Sequence, residues 1–201
     1  MSNSEIFRNK GSIFGAAIIY LMVLVMIIQT IFTGNTKSTL LTIGIGALAA
    51  LKFYLILHRP LLEISDEGIK IVNPLWTYTI GWRDISAIET KFTMSVQVGT
   101  QVIYAWAAPA PGRYHSRKVH LSELRGMDIA NQSSIRFGES PRSDSGVAAY
   151  IARSRWKKFP EGNIEFGKVL NVHAIYLGAI ATIITLAGDR KSTRLNSSHR
   201  T

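Results

Sequence analysis

The chain of 201 residues has no cysteine, and its 13 Asp+Glu stand against 23 Lys+Arg, a formal net charge of +10. Without cysteine there is no disulfide framework, no thiolate metal site and no cysteine nucleophile. Charged residues make up 18% of the chain, below the roughly 25% of an ordinary soluble domain. The glycine-rich patterns G-x-x-x-x-G-K-[ST] and G-x-G-x-x-G are missing, as are the metalloprotease pattern H-E-x-x-H and the nucleophile elbow G-x-S-x-G. His58, His115, His120 and His173 are scattered. His115 and His120 have Glu123 and Asp128 nearby, but without the tight spacing of a metal site. No catalytic constellation, metal site or cofactor is therefore expected. The length leaves room for one modest domain and some additional elements.

What the chain does have is long apolar runs. Ile13 to Phe32 carries no charge over 20 residues. As a helix rising 1.5 Å per residue it would span roughly 30 Å, the hydrocarbon thickness of a bilayer. The run is too long for the apolar core of a signal peptide, and Thr30-Ile31-Phe32-Thr33-Gly34 offers no A-x-A cleavage site. A second run, Leu40 to Leu57, contains one charge, Lys52, five residues from its end and able to snorkel to the interface. The polar link between the runs, Thr33 to Thr39, predicts an antiparallel hairpin of two membrane helices, 13–32 and 40–57. Gly11-x-x-x-Gly15 and Gly46-x-x-x-Ala50 are spacings that permit close helix contact. A third run, Val169 to Gly188, is just long enough to span, with Asn171 and His173 near its start.

Lys and Arg near the span ends set the expected orientation. Arg8 and Lys10 precede the first span, Arg59 follows the second and Lys168 precedes the third, whereas the hairpin tip has only Lys37. The N-terminus and residues 58–168 are thus expected in the cytoplasm of a multi-pass cell-membrane protein. The tail DRKSTRLNSSHRT, 189–201, changes composition abruptly and resembles sequencing-adaptor or vector-derived sequence; the alternative is a genuine disordered basic tail.

Between the second and third runs, residues 58–168 hold 15 Lys+Arg and 11 Asp+Glu. Short strands are expected at Leu61–Ser65, Ile69–Asn73, Trp76–Gly81, Ile85–Thr90, Phe92–Val98 and Gln101–Ala107. They are separated by the turn Asp66-Glu67-Gly68, by Pro74, by Trp82-Arg83-Asp84 and by Gly99-Thr100, a two-residue loop with the glycine placement of a type II′ turn. Such a series predicts an antiparallel sheet that curls or sandwiches to bury one face. Residues 108–144 are polar, with several Gly and Pro, and are expected to form a mobile basic excursion, with a last strand at 133–137. A helix is expected over 144–158, capped by Ser143, Asp144 or Ser145, with Val147, Tyr150, Ile151 and Ser154 as its packing stripe. Arg153, Arg155, Lys157 and Lys158 crowd its last turn, where cations complement the helix dipole.

The segments LLEISDEGIKIVNPLWTYTIGWRDISAIET, YAWAAPAPGR and SDSGVAAYIARSRWKKF, in that order, resemble the bacterial PH-domain family typified by low-molecular-weight protein antigen 6, over about residues 59–159. The resemblance implies an α+β chain whose PH-like curled antiparallel β-sandwich is closed by its C-terminal helix. It implies no defined activity. Phosphoinositide-binding PH domains use a basic loop between their first two strands; here that turn is acidic, Asp66-Glu67-Gly68.

The functional expectation is a non-enzymatic, membrane-tethered interaction or scaffold module that binds a protein or self-associates. The alternative is a reader of anionic lipid through Arg153, Arg155, Lys157 and Lys158 together with Arg113, Arg117 and Lys118 of the basic loop. Nucleic acid is not expected, because the basic residues lie beside membrane segments and mix with acids. No small-molecule substrate is evident.

Overall fold

In the computed structural model, the described residues are 4–90, 92–110, 143–162 and 164–197, without the side chains of 184 and 187–197. They divide into two compact units.

The apolar unit contains α1 (Lys10–Thr33) and α2 (Thr36–Phe53), the latter extended by a π-helical turn at Tyr54–His58. Both helices are long and apolar enough to cross a membrane. Their connector is shorter than the seven polar residues suggest, because Asn35 builds a cap. Its Oδ1 accepts from the Ser38 amide at 2.9 Å, and Ser38 Oγ accepts from the Asn35 amide at 3.1 Å, so the helix starts at Thr36. α2 packs against α1, with Gly46 facing Val23 and Ile27. The Gly11/Gly15 spacing is not used in this way, since a Cβ at Gly15 would meet nothing.

The third apolar run divides between two element types. Val169 and Leu170 belong to a strand, and the helix that follows begins at Val172 and runs to Ser197. Its apolar part within the described side chains is Val172–Ile183. This helix packs against α2, with Gly44 against Thr185, where a Cβ would collide with the threonine side chain.

The second unit is built from antiparallel sheets. β1 (Glu5–Phe7), β2 (Leu61–Ile64), β3 (Gly68–Val72), β4 (Trp76–Gly81) and β8 (Gly167–Leu170) form a five-stranded sheet in the order β1-β2-β3-β4-β8. β5 (Ile85–Thr90), β6 (Thr93–Val98) and β7 (Gln101–Pro109) form a three-stranded sheet. Gly99 has φ +56° and no other described residue has positive φ, so Thr100 does not and the β6–β7 loop has the backbone of a II′ rather than a I′ turn. β7 runs on to Pro109, past the Ala107 expected from sequence, because Thr93 Oγ1 lies 2.5 Å from the Ala105 carbonyl and 2.7 Å from that of Ala108 where the β6–β7 register shifts.

Leu62, Ile64, Ile69, Ile71, Ile80, Trp82, Met94 and Val96, from both sheets and the turn between them, are buried in one core. α3 (Asp144–Lys158) packs on β2 of the first sheet and on β5, β6 and β7 of the second. Its cap is Ser143, whose Oγ accepts from the Gly146 amide at 2.9 Å. The buried face of α3 is Ser145, Ala148, Ala149 and Ala152, not the expected Val147/Tyr150/Ile151/Ser154 stripe. Tyr150 and Ser154 point outward, and Ile151 is only partly buried. Small side chains let the helix axis approach the sheets closely, and that contact outweighs the burial the larger residues would gain.

Candidate functional site

The register of the five-stranded sheet fixes which residues share an end. Phe7 pairs with Leu62, Leu61 with Val72, Val72 with Thr77, and Trp76 with Leu170. These residues make up one end of the sheet, and every connection to the apolar helices departs from it. Phe7 leads through Arg8 and Asn9 to α1; His58 leads through Arg59 and Pro60 to β2; Leu170 leads through Asn171 to the last helix. The opposite end is set by the pairs Glu5 with Ile64 and Gly68 with Gly81, and holds the turn Asp66–Gly68.

Charged side chains lie at both ends. Arg8 follows Phe7 at the end with the chain connections, and the Lys168 ammonium reaches the Trp76 ring there, 4.3 Å from its centre. Glu5, Asp66 and Glu67 belong to the other end. A three-residue edge strand at residues 5–7, too short for alternation to signal it, was not expected from sequence, nor was β8, whose last residues read as the start of an apolar run.

The basic end of α3 sits at the acidic end of the sheet. Arg155 Nη1 donates to Asp66 Oδ1 at 3.0 Å and Arg155 Nη2 to Glu5 Oε1 at 3.2 Å, leaving the arginine side chain 11% exposed. The same turn is held a second time, because Trp82 Nε1 donates to the Asp66 carbonyl at 3.0 Å. Arg153 Nη2 donates to the Ile88 carbonyl at 2.8 Å and so ties the helix to β5. Lys157 and Lys158 are exposed, the latter with its ammonium 5.1 Å from the Phe159 ring centre.

Of the expected cationic cluster, then, two members hold the fold together and two face solvent. Arg113, Arg117 and Lys118 lie outside the described residues, as do His115, His120, the strand expected at 133–137 and nearly all of the expected excursion over 108–144. Among the described residues no group of three or more His, Asp or Glu side chains gathers in a way that suits a metal ion.

A further polar device was not anticipated. Asn73, in the β3–β4 turn at the connected end, donates from Nδ2 to the Tyr104 carbonyl at 2.8 Å and accepts the Trp106 amide on Oδ1 at 3.2 Å. It thereby satisfies the open edge of β7 as a neighbouring strand would and fastens one sheet to the other. The only sequence signal for it is an Asn before Pro in a turn, which is common enough to carry no such meaning alone.

Comparison with protein-family models, with curated proteins and with solved structures gives no match for the chain.

Proposed function

We propose that the chain is a multi-pass integral membrane protein of the cell membrane, with its N-terminus and residues 58–168 on the cytoplasmic side. Its PH-like sandwich acts as a non-enzymatic interaction or scaffold module. α1 and α2 are the membrane hairpin, and the apolar part of the helix that starts at Val172 is the third membrane segment.

The observation that carries this reading is the departure of all three chain connections from one end of one sheet. A module held in this way by three short links keeps its opposite end, with the exposed Lys157 and Lys158, available to a partner. Two antiparallel sheets over one core, with a helix packed on both, support the PH-like assignment. The acidic turn is occupied by Arg155 and Trp82, which favours a protein partner or a second copy over a phosphorylated headgroup at that position.

Photo-cross-linking tests the reading. With benzoylphenylalanine in place of Tyr150 or Lys157 in the full chain, irradiation of cells should give a discrete protein adduct, either a dimer of this chain or a heteromer. Cross-links to phospholipid at Lys157 with no protein adduct at either position would overturn it in favour of the anionic-lipid reader.

A further inference from the structure

The outer face of β7 carries apolar side chains at alternate positions, Val102, Tyr104 and Trp106, exposed by 46, 50 and 53%. Their neighbours Ile103, Ala105 and Ala107 fill the core, so the strand has two apolar faces and only one of them is buried. Leu75, in the β3–β4 turn, is also exposed. Three alternate large apolar residues on an edge strand, with a fourth in an adjoining turn, form a patch of the kind that marks an interaction surface.

The occupant is indicated by where the patch lies. Asn73 bonds the backbone of Tyr104 and Trp106 directly, and Asn73 and Leu75 belong to the turn at the connected end of the five-stranded sheet. That end also holds Arg8, and the Lys168 ammonium reaches Trp76 there. Trp and Tyr beside Lys and Arg is the composition of a membrane–water interface, where amphipathic rings sit at headgroup level and cations meet anionic lipid.

We infer that Leu75, Tyr104 and Trp106 form an interfacial patch that rests in the headgroup layer of an anionic bilayer, with Arg8 and Lys168 supplying complementary charge. The inference rests on the membrane reading above and deepens it. The lipid-facing surface of the sandwich is the connected end and the β7 face, and the basic end of α3 points to the other side of the domain. A protein partner at the same patch is the competing occupant; the chain connections that leave this end for the long apolar helices favour lipid.

The absence of cysteine makes the test direct. Single cysteines at Leu75, Trp106, Thr100 and Met22 of the full chain carry a nitroxide label after reconstitution in phosphatidylcholine–phosphatidylglycerol vesicles. Collision with dissolved oxygen is compared with collision with a water-soluble nickel chelate. Met22, in α1, reports insertion of the hairpin, and Thr100, at the exposed tip of the β6–β7 loop, reports bulk water. The expected result is a high oxygen-to-nickel ratio at Met22, intermediate ratios several-fold above Thr100 at Leu75 and Trp106, and an aqueous value at Thr100. Ratios at Leu75 and Trp106 equal to that at Thr100, with Met22 still in lipid, would overturn this inference and leave the membrane reading standing. An aqueous value at Met22 would overturn both. Leu75 serves as the second reporter should the Trp106→Cys chain fail to fold.

Discussion

Arg155 shows how one residue can change meaning between a sequence and a fold. In the sequence it is one of four cations in the last turn of a helix, and a helix C-terminus explains cations there without further structure. In the fold its guanidinium is shared between Asp66 and Glu5, the second of which is 150 positions away in the chain. Spacing along a helix gives no sign of a partner so distant, so the pairing was not legible. Arg155→Ala removes two charge-assisted hydrogen bonds and should destabilise the sandwich by about 1–2 kcal/mol, toward the low end because both carboxylates keep contact with water. Lys157→Gln changes an exposed side chain and should stay within about 0.5 kcal/mol. Urea denaturation of the full chain in detergent, followed by tryptophan fluorescence, separates the two. Equal midpoints for both variants would mean that Arg155 contributes no more than a surface charge.

At the scale of the element, helix α3 should tolerate loss of a large residue better than gain of one. Ala149 and Ala152 are buried against the sheets, so Ala152→Leu should cost about 1–3 kcal/mol through overpacking. Tyr150 is 61% exposed, and Tyr150→Ala should change stability by no more than about 0.5 kcal/mol. Denaturation midpoints of the two variants check this, and the reverse order would restore the larger residues as the packing stripe. Hydrophobic periodicity found this helix and its cap but caught only the half-buried flank of its packed face, Val147 and Ile151, and missed the alanines at its centre, because it weights large side chains and close packing here runs on alanine. The six inner strands were legible for a different reason. Most alternate in polarity or end at a Gly, Pro or Asp turn, whereas β1 and β8 are three or four residues long and borrow their order from β2 and β4. The α2 boundary moved because a capping box, Asn35 with Ser38, turns apparent loop residues into the first helical turn.

For the whole molecule, the two long apolar helices were the most legible feature, since runs of bilayer length with at most one charge leave few alternatives to a long apolar helix. The place of the sandwich on the chain was legible as well, but its polarity was not. Only the strand register shows that the three connections share one end of the sheet. The central claim is that a hairpin crossing the bilayer holds this sandwich on the cytoplasmic side. Single cysteines at Lys37, in the exposed hairpin tip, and at Thr100, on the exposed β6–β7 loop, test it in intact cells with a membrane-impermeant maleimide. The account predicts labelling of Lys37→Cys in intact cells and of Thr100→Cys only after the membrane is permeabilised. Labelling of Thr100→Cys in intact cells, with Lys37→Cys protected until permeabilisation, would contradict it.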